Sequence, residues 1–124
     1  MIDWSGNQQV APSAARTTTF TSADIPIPYA REIDVIVDQT VNAGSAGSVT
    51  VTINGKDAVS GKYYLLLPGA AITSVSTNVY KVGIGLPATA NVSANCGIPS
   101  VIQIVLTANN SNPTTNSIGL NTIS

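Results

Sequence analysis

The chain has 124 residues, is 44% apolar and carries a net charge of −1, the size of one domain where a domain runs to about 100–200 residues. Only 9% of its residues are charged, against about 25% in an average globular protein. Disorder of the whole chain is excluded, because disorder combines low hydrophobicity with high net charge. Arg16, Arg31, Lys56, Lys62 and Lys81 are scattered, so the clustered cations that neutralise phosphates are missing and no direct nucleic-acid binding is expected.

In chain order, Met1–Ala14, with its Gly, Gln, Pro and Ala, reads as an extended N-terminal arm, leaving 15–124 as a single domain. Met1–Gly6 has no basic and apolar leader pattern, so the chain is expected to be made in a cytosol without a secretion address. Ala15–Thr21 reads as a hydroxyl-rich edge strand. In Asp24-Ile25-Pro26-Ile27-Pro28-Tyr29 the alternating prolines enforce an extended backbone and remove donors. That stretch is either a crossover between sheets or an arm lying on a neighbouring subunit.

Period two then takes over. Ile33, Val35 and Val37 share one face of a strand, with Glu32, Asp34 and Asp38 on the other. Val49, Val51 and Ile53 repeat the pattern against Thr50 and Thr52. The two runs, joined by Asn42–Gly47, read as an antiparallel hairpin of β-branched residues. Lys62–Leu67 is a strand closed by Pro68-Gly69, with Gly55 and Gly61 supplying turn geometry ahead of it. Thr77–Val82 is a further strand. Ser100–Thr107 is apolar on both faces, as a central strand would be. Ser117–Ile123 is a last, weaker one. The longest apolar stretch, Tyr63–Ile72, falls short of the about 20 residues of a membrane helix, so no membrane partner is expected. The expected fold class is all-β: an antiparallel β-sandwich of about seven to eight short strands with an extended N-terminal arm.

Catalytic chemistry has little to draw on. The chain has no histidine and one cysteine, Cys96, so a Ser-His-Asp or Cys-His arrangement cannot be built, and neither can a zinc site of several Cys and His ligands. Asp34 and Asp38, four residues apart on a strand, are separated by about 13 Å, too far for a glycosidase pair. A calcium site on them would need a carboxylate that the following loop lacks. Gly83-Ile84-Gly85 runs into Leu86-Pro87 rather than a helix, so it is not a phosphate loop. No enzyme activity, cofactor or metal is expected. Adjacent Tyr63 and Tyr64 must face opposite sides of their strand, which predicts one in the core and one on the surface. Because Trp and Tyr dominate interface hot spots, the outward tyrosine, assigned to Tyr64, is taken with Trp4, Ile25, Pro26, Ile27, Pro28 and Tyr29 as the candidate partner contact.

The run Val51–Leu66, an alternating strand entering a Gly-Lys-Asp-x-x-Ser-Gly-Lys-Tyr turn and leaving on an aromatic–Leu strand, resembles small virion-associated proteins of tailed bacteriophages. Tyr80–Leu86, Gly97-Ile98-Pro99 leading into Val101–Val105, and Ser117-Ile118-Gly119 follow in the same order. The resemblance covers roughly Arg31–Ile123. It implies a structural virion protein of β-sandwich fold, similar to head decoration (cement) proteins, located on the capsid surface and synthesised in the host bacterial cytoplasm. Its expected partners are the major capsid protein or other virion proteins, with self-association as a homo-oligomer, a trimer on a symmetry axis being favoured. A tail, neck or receptor-binding component, with a glycan-binding version that stacks sugar on the exposed tyrosine, is the alternative.

Overall fold

The computed structural model describes residues 6–124. Strands account for most of them: β1 (Gly6–Arg16), β2 (Phe20–Thr21), β3 (Ile25–Pro26), β4 (Glu32–Asn42), β5 (Val49–Lys56), β6 (Tyr63–Ile72), β7 (Ser76–Gly83), β8 (Ser93–Ala94), β9 (Val101–Ala108) and β10 (Thr114–Ile123). They form two sheets packed as a sandwich. One runs β1-β10-β4-β7-β8 and the other β2-β9-β5-β6, with β3 also paired to β9. Every pairing is antiparallel except β7 with β8. β2, β3 and β8 are only two residues long, which leaves seven long strands, all but β1 at places where the sequence predicts a strand. No helix among the described residues is long and apolar enough to cross a membrane.

The interior is the product of that alternation. Ile33, Val35 and Val37 of β4 lie beside Val82 and Tyr80 of β7 and beside Leu120 and Ile118 of β10. All seven are buried. Facing them across the gap, Val49, Val51 and Ile53 of β5 sit beside Ile102, Ile104 and Leu106 of β9, also buried. Fully burying a side chain of this kind contributes about 1.5–3 kcal/mol.

Four expectations are corrected. β4 and β5 do not form a hairpin, since they belong to opposite sheets. Alternation fixes which face of a strand is buried but not which strand lies beside it. Both apolar faces are buried here by facing each other across the sandwich. The link between them turns through Gly44 at φ 70° and Ser45 at φ 55°. It is clamped by Asn42, whose Nδ2 donates to the carbonyls of Gly47 (3.0 Å) and Thr73 (2.8 Å) while its Oδ1 accepts from the Gly47 amide (2.8 Å).

Pro68-Gly69 does not close its strand, because β6 continues to Ile72 with Pro68 opposite Thr52. β6 pairs with β5 alone and is an edge strand, where a missing N–H costs no ladder bond. The segment expected as a free arm enters the sheet over Gly6–Ala14 as most of β1, paired antiparallel to β10. The expected edge strand Ala15–Thr21 is instead the end of β1, three exposed threonines and the short β2.

One end of the interior is polar. Gln39, Thr114 and Asn116 are as buried as the aliphatic core, and each is bonded. Asn116 Nδ2 donates to Thr114 Oγ1 (3.0 Å) and to Gln39 Oε1 (3.4 Å), Gln39 Nε2 donates to the Ser74 carbonyl (3.0 Å), and Arg16 Nη1 donates to Asn116 Oδ1 (3.1 Å). Burial of the Arg16 guanidinium lowers its pKa from the ordinary value.

At the sandwich edge Gly69 brings β6 against β7. A β-carbon there would lie 2.7 Å from Val51 Cγ1 and 2.9 Å from Tyr80 Cε1. Gly69→Val is expected to destabilise the fold by about 1–3 kcal/mol, the range for overpacking. Gly119→Val, whose added carbon meets nothing within 4 Å, is expected to stay within about 0.5 kcal/mol of the parent. Urea denaturation of the two variants measures the contrast.

Candidate functional site

One end of the sandwich collects the turns that follow β3, β5 and β7 together with the start of β1 and the end of β10, because Glu32 pairs with Ile123 and Gly83, Gly6 pairs with Thr122, and Lys56 pairs with Tyr63. Most of the large exposed apolar side chains stand at this end. They include Tyr29 (56% exposed), Val59 (96%), Tyr64 (46%) and Ile84 (79%), along with Tyr63, Leu65 and Ile123. Such a concentration on a chain so poor in charge makes this end the candidate contact surface.

The turn from β5 to β6 is built by its own side chains. The Asp57 carboxylate accepts from the amides of Val59 (3.3 Å) and Ser60 (3.2 Å) and from the Ser60 hydroxyl (2.7 Å). Ser60 Oγ accepts from the Lys62 amide (3.2 Å), and Gly61 takes φ 71°, a conformation that glycine adopts without a steric penalty. These bonds, the Ser60 hydroxyl first, hold the Asp57 carboxyl below the usual carboxylate range. The Gly-Lys-Asp-x-x-Ser-Gly-Lys-Tyr run is therefore a self-capped hairpin turn with Val59 at its tip.

Both tyrosines that follow are exposed, which corrects the expectation of one buried and one exposed. The outward one is Tyr63, not Tyr64 as expected, because it stands opposite Lys56 on the outer face. Its hydroxyl donates to Asp24, whose other oxygen is 2.6 Å from Lys56 Nζ. Lys56 Nζ also stands 5.5 Å from the Tyr63 ring centroid, within cation–π range. Tyr64 turns to the other face, near the strand end, where it lies over Gly55 and beside Pro99. A β-carbon on Gly55 would sit 2.8 Å from both Tyr64 Cζ and Pro99 Cγ. The residue stays about half exposed there. Lys56, Asp57, Ser60, Lys62, Tyr63, Tyr64, Pro99 and Ser100 line a cleft of about 570 Å³.

Of the other sequence-predicted contact residues, Trp4 lies outside the described residues. Ile25 and Ile27 belong to the core, a correction with a plain cause. Ile25 pairs with Ile102 of β9, and the Ile27 amide donates to the Ser100 carbonyl at 2.7 Å. The proline-rich stretch is thus the crossover between the sheets. Its alternation sends both isoleucines inward and leaves Pro26, Pro28 and Tyr29 exposed. Tyr29 and Tyr64 therefore both stand exposed at this end, in separate clefts, while the isoleucines are buried. Asp24, Lys56, Tyr63 and Pro99 were not foreseen. Asp24 and Pro99 arrive from distant parts of the chain, and only the Gly55 opposite an aromatic strand carried a local signal.

Nearby, Glu32 is raised above the ordinary carboxylate value by partial burial and then by the neighbouring Asp34. Asp34 Oδ1 has no hydrogen-bond donor and lies 3.7 Å from Lys81 Nζ. No group of three His, Cys, Asp or Glu side chains gathers among the described residues. The chain matches no protein-family model and no curated protein.

The Asp24 cluster sets a pH window. Its bonds from Lys56 and then Tyr63 lower the Asp24 pKa, and Asp24 raises those of Lys56 and Tyr63. The lowered carboxylate contributes above the ordinary carboxylate range and is lost as pH falls through its lowered value. The raised amine and phenol contribute below their ordinary values and are lost as pH rises through the raised ones. Asp24→Asn is expected to abolish both limbs and let the Tyr63 phenol ionise at lower pH, read by ultraviolet titration against a Tyr63→Phe control.

Proposed function

We propose that this protein is a structural component of a bacteriophage virion, most specifically a head decoration (cement) protein that binds the shell through protein–protein contacts and strengthens it. The observation that carries this reading is the apolar, tyrosine-bearing end described above, held on rigid turns. The likeness of Val51–Leu66 and the segments after it to small phage structural proteins supplies the particle. Its partners under this reading are the major capsid protein and further copies of itself around a symmetry axis, and its work is contact rather than turnover. Sparse charge with abundant hydroxyl and amide groups suits a wet interface of direct and water-bridged hydrogen bonds around an apolar centre.

Two measurements test it. Quantitative mass spectrometry of purified virions is expected to give about one copy per capsid subunit; a trace of a few copies per particle removes the decoration reading. Binding of purified protein to undecorated shells is expected to weaken at least about tenfold in Tyr64→Ala and Tyr29→Ala, the loss that accompanies removal of a hot-spot tyrosine, with the fold intact by circular dichroism.

A second reading, a tail, neck or receptor-binding component that recognises glycan, is favoured by one feature: the part-exposed Tyr64 lining a polar cleft. Apolar sugar faces stack on such rings while hydroxyls reach the carboxylate, ammonium and hydroxyl groups around them. Under this reading a glycan array probed with the purified protein yields a saccharide whose binding Tyr64→Ala abolishes. A blank array retires it.

A further inference from the structure

β1 is long but barely rooted. Of its residues Gly6–Arg16, Ala11 alone is a fully buried apolar side chain, and most of the others are exposed. Its pairing with β10 is broken by irregularities between Gln9 and Ala11 and between Ala11 and Ala14, and Pro12 contributes no amide. What chiefly joins it to the domain is a backbone ladder and a side-chain lock through Arg16. Arg16 Nη1 donates to Asn116 Oδ1, and the same guanidinium bonds the carbonyls of Ala14 (3.0 Å) and Pro12 (2.9 Å). Apart from the small Ala11 and Val10 packed at the core and the Arg16 guanidinium 5.3 Å from the Phe20 ring, the pairing partners of β1 are on β10, and a second copy offers the same β10 with the same Asn116.

The connection to the rest of the chain is short. Arg16 ends a strand of one sheet and Phe20 begins a strand of the other, with only the exposed Thr17, Thr18 and Thr19 between them. Four Cα steps reach at most about 14 Å, and packed sheets stand about 10 Å apart, so the link has little slack. A short hinge of this kind invites exchange between identical chains.

We propose that β1 is an exchangeable strand: when copies are concentrated, it leaves its own β10 and pairs with β10 of a second copy, joining protomers into a closed oligomer. The contacts made in exchange are the ones made within the chain, so concentration and hinge strain decide the balance. The Arg16–Asn116 lock restricts the exchange to chains that carry both residues. The inference stands on the β1–β10 geometry alone and holds whatever particle the protein serves.

The test is carried out on the full chain with Cys96→Ser as background. Asn7 and Asn121 are register partners, so one preparation carries Asn7→Cys and the other Asn121→Cys. Each chain then has a single thiol, and a disulfide between the two forms faster than random collision allows only if β1 of one copy lies on β10 of another. After mixing at high concentration and oxidation, covalent heterodimer is expected at least tenfold above that of Asn7→Cys mixed with Val75→Cys, whose thiol is exposed elsewhere. Deleting Thr17 and Thr18 leaves two Cα steps, about 7 Å, too short to close within one chain. That deletion is expected to shift the protein to dimers or trimers by light scattering. Cross-linking no better than the control overturns the proposal, as does a folded deletion variant that stays monomeric. Should the deletion variant fail to fold, the cysteine pair still decides.

Discussion

Two sheets can lie face to face only if each strand gives every second residue to the space between them, and in this chain that requirement is met by β-branched and leucine side chains with little else. Ile33, Val35 and Val37 on one side and Val51, Ile53, Ile104 and Leu106 on the other occupy the gap, with Tyr80 the one aromatic ring buried among them. Aliphatic side chains of similar size interdigitate at close to crystalline density, which fixes how closely the layers approach. The turns at the ends inherit that separation. The contact end is therefore positioned by the core even though it shares almost no residues with it.

The interior is not apolar throughout. Gln39, Thr114 and Asn116 close the end away from the tyrosines and satisfy one another in sequence from Arg16 to the Ser74 carbonyl. A buried amide left without a partner costs about 1–3 kcal/mol, so the set tolerates only the arrangement in which each member is in place. Slipping β10 by one residue against β4 would send Asn116 outward and bring Ser117 in. The polar end thus pins the register that the aliphatic end, with its interchangeable side chains, specifies less sharply. It also gives the sandwich two unlike ends, one closed by hydrogen bonds and one crowned by rings.

The sequence was most readable where burial is one-sided. The runs 32–38, 49–53 and 117–123 alternate, and the structure buries the faces that the alternation names. Pairing was not readable, because nothing in Ile33-Val35-Val37 says whether Val49-Val51-Ile53 lies beside it or opposite it. The β1 segment escaped recognition as a strand for a related reason: an edge strand exposed on both faces has no hydrophobic period to display. At the contact end the tyrosines could be picked out by residue type, but the choice between Tyr63 and Tyr64 rested on a rule that fails where a strand outruns the layer above it. Asp24 was invisible as their partner, since its place beside Lys56 is set by how β3 docks on β9.

The self-capped turn after β5 has a consequence for variation. Asp57, Ser60 and Gly61 fix its backbone through their own bonds and dihedral freedom, while the side chains of Ala58 and Val59 take no part in that construction. Those two positions can change in size, polarity or charge without loosening the hairpin that carries them. A lineage meeting a new surface could thus rewrite the most prominent point of the molecule by single substitutions, with the scaffold left as it stands.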